Sequence, residues 1–213
     1  MTPGISLPSG GLYVITDCRN LTTGQLLDKT EQILQAGAAL LQYRHKEAGT
    51  LLKIDQAGLI KSICLQYSVP LIINDDPELA LKVKAEGVHL GREDMGCAST
   101  RALLGPQSII GISCYNDLER AKSAAAGGAD YVALGAFYRS LTKPDAARAE
   151  PELIARVKQF IKQPVVAIGG ITPENGKALL AAGADFLAVS SGLYTPADTG
   201  KATRNYVALF NHP

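Results

Sequence analysis

Charged and amide side chains follow directly after three short apolar runs in this chain. The segment Gln42–Lys46 brings an amide and two cations, Asn74–Asp76 brings two carboxylates, and Gly91–Asp94 brings two more. Cations together with a carboxylate-held Mg²⁺ ion suit a substrate that carries several phosphate charges. Three such clusters, each at the end of an apolar run, predict one site that the fold assembles.

The elements that must position these clusters alternate between strand and helix. Eight short runs are mostly apolar on both faces, as buried parallel strands are. They are predicted at Leu12–Thr16, Leu40–Tyr43, Leu71–Ile73, Gly87–Leu90, Ile109–Ile112, Tyr131–Leu134, Val165–Ile168 and Phe186–Val189. This count favours an α/β fold, a single (β/α)₈ TIM barrel over residues 1–213 with 1–10 as an N-terminal extension, and an open doubly wound sheet is the alternative.

Two patterns mark the helices between these strands. Apolar residues recur at helical spacing, at Leu26, Leu27, Ile33 and Leu34 in the first helix and at Leu52, Leu59 and Ile63 in the second. Glycines at 36–38, 86–87, 127–130 and 182–185 are expected to supply left-handed helix caps. The last two segments both end in Gly-Ala-Asp, which predicts an internal repeat of the βα unit.

Composition excludes several classes of protein. Hydrophobic residues make up 46% of the chain, charged residues 19%, and the net charge is +1. No basic run predicts nucleic-acid binding, residues 1–10 lack the pattern expected of a signal peptide, and no apolar stretch is long enough to span a bilayer. The four cysteines share no CxxC spacing, so free thiols in a reducing cytoplasm are expected. Cys18, Cys97 and Cys114 lie near the predicted mouth without an assigned role.

In a barrel of this kind the active site lies at the carboxyl ends of the strands. If the second strand continues, period-two alternation points Gln42, Arg44 and Lys46 the same way, which suits gripping a diphosphate. A solvated basic loop is the alternative for this segment. Asp76 followed by Pro77 is a good helix N-cap, which leaves Asp75 for the mouth unless both aspartates serve the helix end.

The fourth and fifth strands bring further polar groups. Glu93 or Asp94 suits a Mg²⁺ ligand, with a polar surface loop as the alternative. His89, inside the fourth strand, is expected to be packed or hydrogen-bonded rather than catalytic. Ser113 follows the fifth strand and offers a hydroxyl to a phosphate oxygen, and Asn116 or Asp117 is expected to cap the next helix.

The last three strand ends suggest a second anion site. Between Gly135 and Glu150 a long connection carries Ser140, Thr142 and Lys143, which suit a phosphate-grasping flap. Gly169-Gly170 follows the seventh strand and Ser190-Ser191-Gly192 follows the eighth, where barrels often bind phosphate through backbone amides. Two facing anion sites suit the joining of a diphosphate substrate to a phosphorylated one, with diphosphate leaving.

At this point the chain resembles the thiamine-phosphate synthase family over nearly its whole length, from Tyr13 to Ser190. The matching segments are Gln42-x-Arg44-x-Lys46, Asn74-Asp75, Gly87-Val88-His89-Leu90-Gly91-x-Glu93-Asp94, Gly111-Ile112-Ser113, Thr142-Lys143 and Gly169-Gly170-Ile171. The resemblance implies coupling of 4-amino-5-hydroxymethyl-2-methylpyrimidine diphosphate to 5-(2-hydroxyethyl)-4-methylthiazole phosphate. It also implies Mg²⁺ as cofactor and a dissociative substitution in which diphosphate departs first.

The resemblance also implies roles for individual residues. Asp75 and Asp94 would ligate Mg²⁺, and Arg44, Lys46, Ser113 and Lys143 would be the catalytic set. Residues implied to bind the pyrimidine diphosphate are Gln42, Arg44, Lys46, Asn74, Ser113 and Lys143, and those implied to bind the thiazole phosphate are Ser140, Thr142, Gly170, Val189 and Ser190. Tyr43, His45 and Leu141, which lie within these segments, are included among the substrate-binding residues.

The chain departs from the family pattern at several positions. Ser140 stands where the family often has Thr, Ala136 and Arg139 replace frequent prolines, and Tyr115 replaces a frequent His. A thiazole tautomerase of the same superfamily and a non-catalytic thiamine-phosphate-binding barrel are the rivals. A phosphosugar isomerase would leave the cations and carboxylates of the second to fourth strand ends unexplained. A homo-oligomer is compatible with a barrel of this size, although no patch in the sequence marks an interface.

Overall fold

Eight parallel strands close into a barrel in which each strand pairs with its neighbours in the sequence and the first pairs with the last. The computed structural model describes residues 6–139 and 149–211. The strands are β1 (Gly11–Ile15), β2 (Leu40–Tyr43), β3 (Leu71–Asn74), β4 (Gly87–Leu90), β5 (Ile109–Tyr115), β6 (Tyr131–Gly135), β7 (Val165–Ile168) and β8 (Phe186–Val189). The predicted (β/α)₈ barrel is confirmed, and the open sheet is not formed.

Helices follow the strands around the outside of the barrel. They are α1 (Thr23–Gln35), α2 (Thr50–Gln66), α3 (Pro77–Val83), α4 (Cys97–Leu104), α5 (Leu118–Ala126), α6 (Glu152–Lys158), α7 (Pro173–Ala181), α8 (Ser191–Tyr194) and α9 (Thr199–Val207), with a 3₁₀ turn at Ala208–Phe210. Side chains cap the first turns of α1, α3, α5, α7 and α9. At α1 the Thr22 hydroxyl accepts the backbone N–H of Gln25 in a capping box. Within the described residues, no helix has the length and apolarity needed to cross a membrane.

Alternating strand residues divide the apolar core into two clusters. One lies between the sheet and the helices and contains outward-facing strand residues such as Val14, Leu41 and Val88. The other fills the barrel interior and includes Tyr13, Tyr131 and Phe186. This period-two division is what directs the residues just beyond each strand alternately toward the mouth and toward the helices.

The prediction for the buried face of α2 is wrong at Leu52 and Leu59, whereas Ile63 packs against the core as expected. Leu52 and Leu59 are each 41% exposed, and the helix instead buries Ala57, Ile60 and Cys64. Leucines occur on both sides of this helix, so their recurrence alone does not identify the side that packs on the sheet. The cap predicted at 86–87 is also wrong, because α3 ends at Lys84 in the left-handed region with φ of 54°. Glycines 37, 128 and 183 have positive φ at the other three helix ends, as expected.

A repeated acidic device closes the amino-terminal end of the barrel. Glu86, Asp130 and Asp185 directly precede β4, β6 and β8, and each carboxylate accepts the backbone N–H of a residue near the start of the preceding strand. That same residue's carbonyl accepts the backbone N–H of the acid, at 2.8 to 3.0 Å. A helix cation completes each set: Lys61 for Glu86, Arg101 for Asp130 and Lys158 for Asp185. The Gly-Ala-Asp repeat seen in the sequence thus corresponds to two copies of this device.

Candidate active site

The five polar residues at positions 42–46, at the end of β2, point alternately toward the barrel interior and toward the helices. Gln42 points into the barrel, where its amide Nε2 donates to the Tyr13 hydroxyl at 2.7 Å. Arg44 and Lys46 line a cavity of about 520 Å³ above the strand ends. The predicted common direction of these three residues agrees with this arrangement.

Tyr43 and His45 face the helices instead of the interior. The Tyr43 hydroxyl donates to Gln56 Oε1 at 2.9 Å, and His45 Nδ1 lies 2.9 Å from the same oxygen. Both residues border a neighbouring cavity of about 510 Å³ on the outer side of the mouth. Lys46, Asn74 and Asp75 border this cavity as well. The structure therefore brings Tyr43 and His45 near Lys46 but not into the cavity that Arg44 lines, because strand alternation sends their side chains to the opposite face.

Two residues that the sequence did not single out hold this segment in place. The Thr16 hydroxyl, just beyond β1, accepts the Arg44 N–H at 2.8 Å and lies 3.1 Å from the Arg44 carbonyl, to which it donates. Gln56 is only 3% exposed and also donates to Thr23 Oγ1 at 2.9 Å. A polar residue in the middle of an otherwise buried helix face is the one sequence signal that marks Gln56, since buried polar groups need partners.

Asp75 and Asp94 meet at the mouth, although 19 positions separate them in the sequence. Asp75 lies beyond β3 in the left-handed region with φ of 62°, and its N–H donates to the His89 carbonyl at 2.8 Å. Lys46 Nζ is 3.2 Å from Asp75 Oδ2. Asp76 accepts from the Leu79 N–H at 2.9 Å, so it caps α3 and leaves Asp75 to the mouth, as predicted. A non-glycine residue in this backbone conformation is uncommon and often marks a functional site.

The two carboxyls have opposite pKa shifts. Burial raises the pKa of Asp94, and the adjacent Asp75 carboxyl raises it further against the opposing Gly91 N–H hydrogen bond. Burial also acts to raise the pKa of Asp75, but hydrogen bonds with Asp94, Lys46 and Asn74 outweigh it and lower that pKa. Two carboxyls in contact share a proton or need a cation between them.

This contact fits a divalent cation. Among residues 6–139 and 149–211, no group of three or more His, Cys, Asp and Glu side chains gathers into a metal cluster. Mg²⁺ does not need one, since it takes one or two carboxylates and completes its shell with water and substrate phosphate oxygens. The Asp75 and Asp94 carboxylates, which lie beside Lys46 and Asn74, are the two protein ligands that such a Mg²⁺ site would need.

Ser113 lies within β5 and not after it, which corrects the predicted end of that strand at Ile112. A β-bulge between Ser113 and Tyr115 shifts the register against β6 and lengthens the strand to Tyr115. Bulges re-aim side chains and are common beside active sites. The Ser113 hydroxyl borders the cavity and lies 2.8 Å from His89 Nε2.

His89 is hydrogen-bonded inside the barrel, as predicted. Its Nδ1 lies 3.0 Å from the Tyr131 hydroxyl, and its ring stacks on that tyrosine with centroids 5.6 Å apart. Burial lowers the pKa of His89 to about 4, against a small opposing effect of Asp75. The imidazole is therefore neutral at pH 7 and contributes hydrogen bonds rather than charge.

Arg120 joins the ends of β4 and β5 and was not identified from the sequence. Its Nε donates to the Ser113 carbonyl at 2.7 Å and its Nη2 to the Gly91 carbonyl at 3.1 Å. Tyr115, at φ of 56°, lies between the guanidinium groups of Arg92 and Arg120, which are 5.0 and 5.8 Å from its ring centroid. Asp117, rather than Asn116, caps α5.

The β7 and β8 ends carry the second set of predicted residues. Gly170 has φ of 60°, and a Cβ there would overlap the backbone of Arg139, so the chain passes too closely for any other residue. Val189 is buried in the outer core, which leaves only its backbone for a ligand. Ser190 precedes α8, and its backbone carbonyl accepts the Leu193 N–H at 2.9 Å. Ser140, Leu141, Thr142 and Lys143 lie outside the described residues.

The fold and the site together define a (β/α)₈-barrel enzyme with paired carboxylates, cations and hydroxyls at its mouth. A family model described as thiamine monophosphate synthase matches residues 12–193. The chain is 49% identical over 201 residues to a thiamine-phosphate synthase of Azoarcus sp. (strain BH72), covering 94% of this chain and 97% of that one. It is 47% identical to the one of Methylobacillus flagellatus, covering 96% and 97%. The thiamine phosphate pyrophosphorylase of Pyrococcus furiosus has the same fold, with a TM-score of 0.86, 32% identity and coverage of 95% and 96%.

The chain belongs to the thiamine-phosphate synthase family, an enzyme family of transferases, and the resemblance drawn from its motifs is confirmed. The relatives do not favour the tautomerase or the non-catalytic binding barrel. The departures at Ala136, Arg139 and Tyr115 therefore do not remove the chain from the family.

Proposed function

We propose that this chain joins 4-amino-5-hydroxymethyl-2-methylpyrimidine diphosphate to 5-(2-hydroxyethyl)-4-methylthiazole phosphate, giving thiamine phosphate and diphosphate. The observation that carries the proposal is the cavity bordered by Arg44, Lys46, Asp75, Asp94 and Ser113. It combines two cations, two touching carboxyls and a hydroxyl, which together match the charge of a diphosphate and its counter-ion. Both substrates are small molecules, and a cytoplasmic location and a homo-oligomeric state are part of the same expectation.

Residues of β2 and β5 would bind the departing diphosphate. Arg44 and Lys46 supply positive charge where negative charge accumulates, and Ser113 supplies a hydroxyl to one of the phosphate oxygens. Lys143 would approach the same group from the 140–148 segment. Gln42 and Asn74 would orient the pyrimidine so that its methylene carbon faces the mouth.

Mg²⁺ would be held by Asp75 and Asp94, and when bound it would neutralise charge on the diphosphate. The two adjacent carboxyls would then be balanced by the ion. Lys46, 3.2 Å from Asp75, connects this pair to the cation set of β2. Removing the Asp75 carboxylate would leave Lys46 without its partner and would weaken both parts of the site.

The resemblance to the family implies the order of bond changes, and the residues present are compatible with it. The bond between the methylene carbon and the diphosphate oxygen breaks first, and the electron pair leaves with the diphosphate. The pyrimidine stabilises the resulting cation until the thiazole nitrogen donates its lone pair to the carbon. No proton has to be removed from this nitrogen, so the neutral, buried His89 is not needed as a general base. Gly170, Val189, Ser190, Ser140 and Thr142 would hold the thiazole phosphate so that its nitrogen faces the carbon.

A coupling assay tests the proposal. Purified protein is incubated with both substrates and Mg²⁺, and thiamine phosphate and diphosphate are measured over time. We expect the two products to appear in equal amounts and both to be abolished by EDTA. Folded protein that releases neither product would overturn the proposal, and release that survives EDTA would remove the role of the metal.

A further inference from the structure

Five polar side chains form one line of hydrogen bonds across the interior of the barrel, from β2 to β5. Gln42 Nε2 lies 2.7 Å from the Tyr13 hydroxyl, which lies 2.8 Å from the Tyr131 hydroxyl. The Tyr131 hydroxyl lies 3.0 Å from His89 Nδ1, and His89 Nε2 lies 2.8 Å from the Ser113 hydroxyl. Both ends of this line, Gln42 and Ser113, are residues to which a substrate role is assigned above. The three middle residues have no role in that account.

The register of the sheet explains how the line can form. His89 on β4 pairs with Gly111 on β5, and Gly111 pairs with Tyr131 on β6. A Cβ at Gly111 would overlap the ring of Tyr131. The missing side chain therefore lets Tyr131 reach past β5 to stack on His89. A glycine inside a strand often marks such a close approach.

Because these side chains are buried, the free energy of the folded protein depends on which partner donates the proton in each hydrogen bond of this line. Tyr13, Tyr131 and Gln42 are at most 2% exposed, so water does not complete their hydrogen bonds. A tyrosine hydroxyl has one proton to donate, and a neutral imidazole donates from one nitrogen and accepts at the other. Each link in the line therefore determines the next.

The Gln42 amide sets the direction. Its Nε2 can only donate, so the Tyr13 oxygen accepts and the Tyr13 proton goes to Tyr131. Tyr131 then donates to His89 Nδ1, and the proton on His89 Nε2 goes to the Ser113 oxygen. The Ser113 proton is the one left over, and it points into the cavity.

The opposite direction leaves a buried proton without a partner. If His89 Nδ1 carried the proton, Tyr131 would donate to Tyr13, which would then accept from both of its neighbours. The Tyr13 proton would have no acceptor among the described residues, and an unsatisfied buried hydroxyl costs free energy. Reversal would require the Gln42 amide to turn over, which would exchange the donor and acceptor that it presents to the mouth.

We propose that Tyr13, Tyr131 and His89 are positioning residues, which hold the Ser113 hydroxyl as a hydrogen-bond donor toward the mouth and the Gln42 amide oxygen as an acceptor. A donating hydroxyl is the form that a diphosphate oxygen needs. The value of this arrangement for catalysis rests on the function proposed above, whereas the direction of the line does not.

Nitrogen NMR of the free protein tests the direction without any activity. The chain has three histidines, so ¹⁵N-histidine labelling gives a simple spectrum, and His89→Gln assigns the signal. We expect His89 to carry its proton on Nε2, with Nδ1 unprotonated. Protonation on Nδ1, or an equal mixture of both forms, would overturn the proposal.

Binding of inorganic diphosphate with Mg²⁺, measured by calorimetry, tests the action through Ser113. This probe has no pyrimidine, so it isolates the Ser113 end of the line from the Gln42 end. Tyr131→Phe removes one link, and we expect its affinity to fall by about tenfold, as for the loss of one hydrogen bond to a charged group. In a Ser113→Ala background the same substitution should have no further effect. Additive losses would show that Tyr131 acts on the fold and not through Ser113.

Matched controls separate this action from general damage to the core. Tyr194→Phe removes the hydroxyl of another buried tyrosine, which bonds only with Thr30 among the described residues, and should leave the affinity unchanged. Tyr13→Phe leaves His89 Nδ1 as the acceptor of the Tyr131 proton among the described residues, so the His89 proton should stay on Nε2 in this variant, which tests the direction even if Tyr131→Phe fails to fold. If the wild-type protein binds no diphosphate, the proposed function fails while the NMR result still decides the direction of the line.

Discussion

The two ends of the barrel use acidic residues in opposite ways. At the amino-terminal end, Glu86, Asp130 and Asp185 each accept a backbone N–H and pair with a helix cation. At the carboxyl end, Asp75 and Asp94 contact each other and have Lys46 beside them. The first arrangement is electrostatically complete without a ligand. In the second, the negative charge of the two carboxyls is balanced only when a further cation or a proton binds. The contrast therefore distinguishes acidic residues that stabilise the fold from acidic residues that are available for catalysis.

The largest expected effect is at Asp75. Asp75→Asn removes the charge and keeps a side chain that tolerates positive φ, so the backbone is not penalised. We expect turnover to fall by about 100-fold or more, because leaving-group stabilisation by a metal contributes several kcal/mol. The urea midpoint should change little, since the ion pair that Asp75 forms with Lys46 is partly exposed and screened by solvent. Coupling assays and urea titrations measure the two quantities, and full turnover in this variant would break the comparison.

Glu86→Gln should have the reverse outcome. Lys61 and Glu86 form an ion pair with side chains only 10% and 12% exposed, and the substitution leaves a buried ammonium without its charge partner. We expect a loss of about 3 kcal/mol in the free energy of unfolding. Turnover per folded molecule should stay at the wild-type value, because this end of the barrel is remote from the mouth. A fall in turnover with unchanged stability would contradict the division between the two ends.

His89 lies inside the barrel between these two ends, and its titration makes the stability of the protein depend on pH. Its pKa is about 4 in the folded protein and about 6.5 in the unfolded chain, so only the unfolded chain takes up the proton between these values. The stability that the neutral ring confers is present above pH 6.5 and is lost as the pH falls toward 4. We expect a loss of about 2 kcal/mol between pH 6.5 and pH 5 from this group. Urea unfolding at both pH values should show a smaller loss in His89→Gln than in the wild type, with the half-buried His45, changed to Gln, as the control.

The smallest effect is expected at Asp185. Its side chain is 25% exposed and that of Lys158 is 34% exposed, so solvent screens the pair. Asp185→Asn keeps an oxygen that can accept the Val165 N–H, and we expect a loss of no more than about 1 kcal/mol. Thermal unfolding of Asp185→Asn beside Glu86→Gln would sharpen the comparison. Equal losses would show that burial of the ion pair does not determine how much it stabilises the fold.

Much of this molecule could be predicted from local patterns. Eight apolar runs at regular spacing predict parallel strands, and eight strands with helices between them close into a barrel. Because the active site of such a barrel lies at the carboxyl ends of its strands, Arg44, Lys46 and Asp75 are predicted at one mouth. The pair Asp76-Pro77 by itself predicts the start of a helix. These inferences hold because each depends on neighbours in the sequence or on a general property of the fold.

Other features depend on contacts between distant segments, and only the tertiary structure decides them. The bulge that places Ser113 inside β5 depends on its pairing with β6, and the side of α2 that is buried depends on the sheet beneath it. The line from Gln42 to Ser113 needs the empty space at Gly111, through which Tyr131 reaches His89. Sequence alone determined which chemical groups this protein would bring to its mouth. Three-dimensional packing decided which of them touch, because hydrogen bonds and shared protons depend on distances that spacing along the chain does not set.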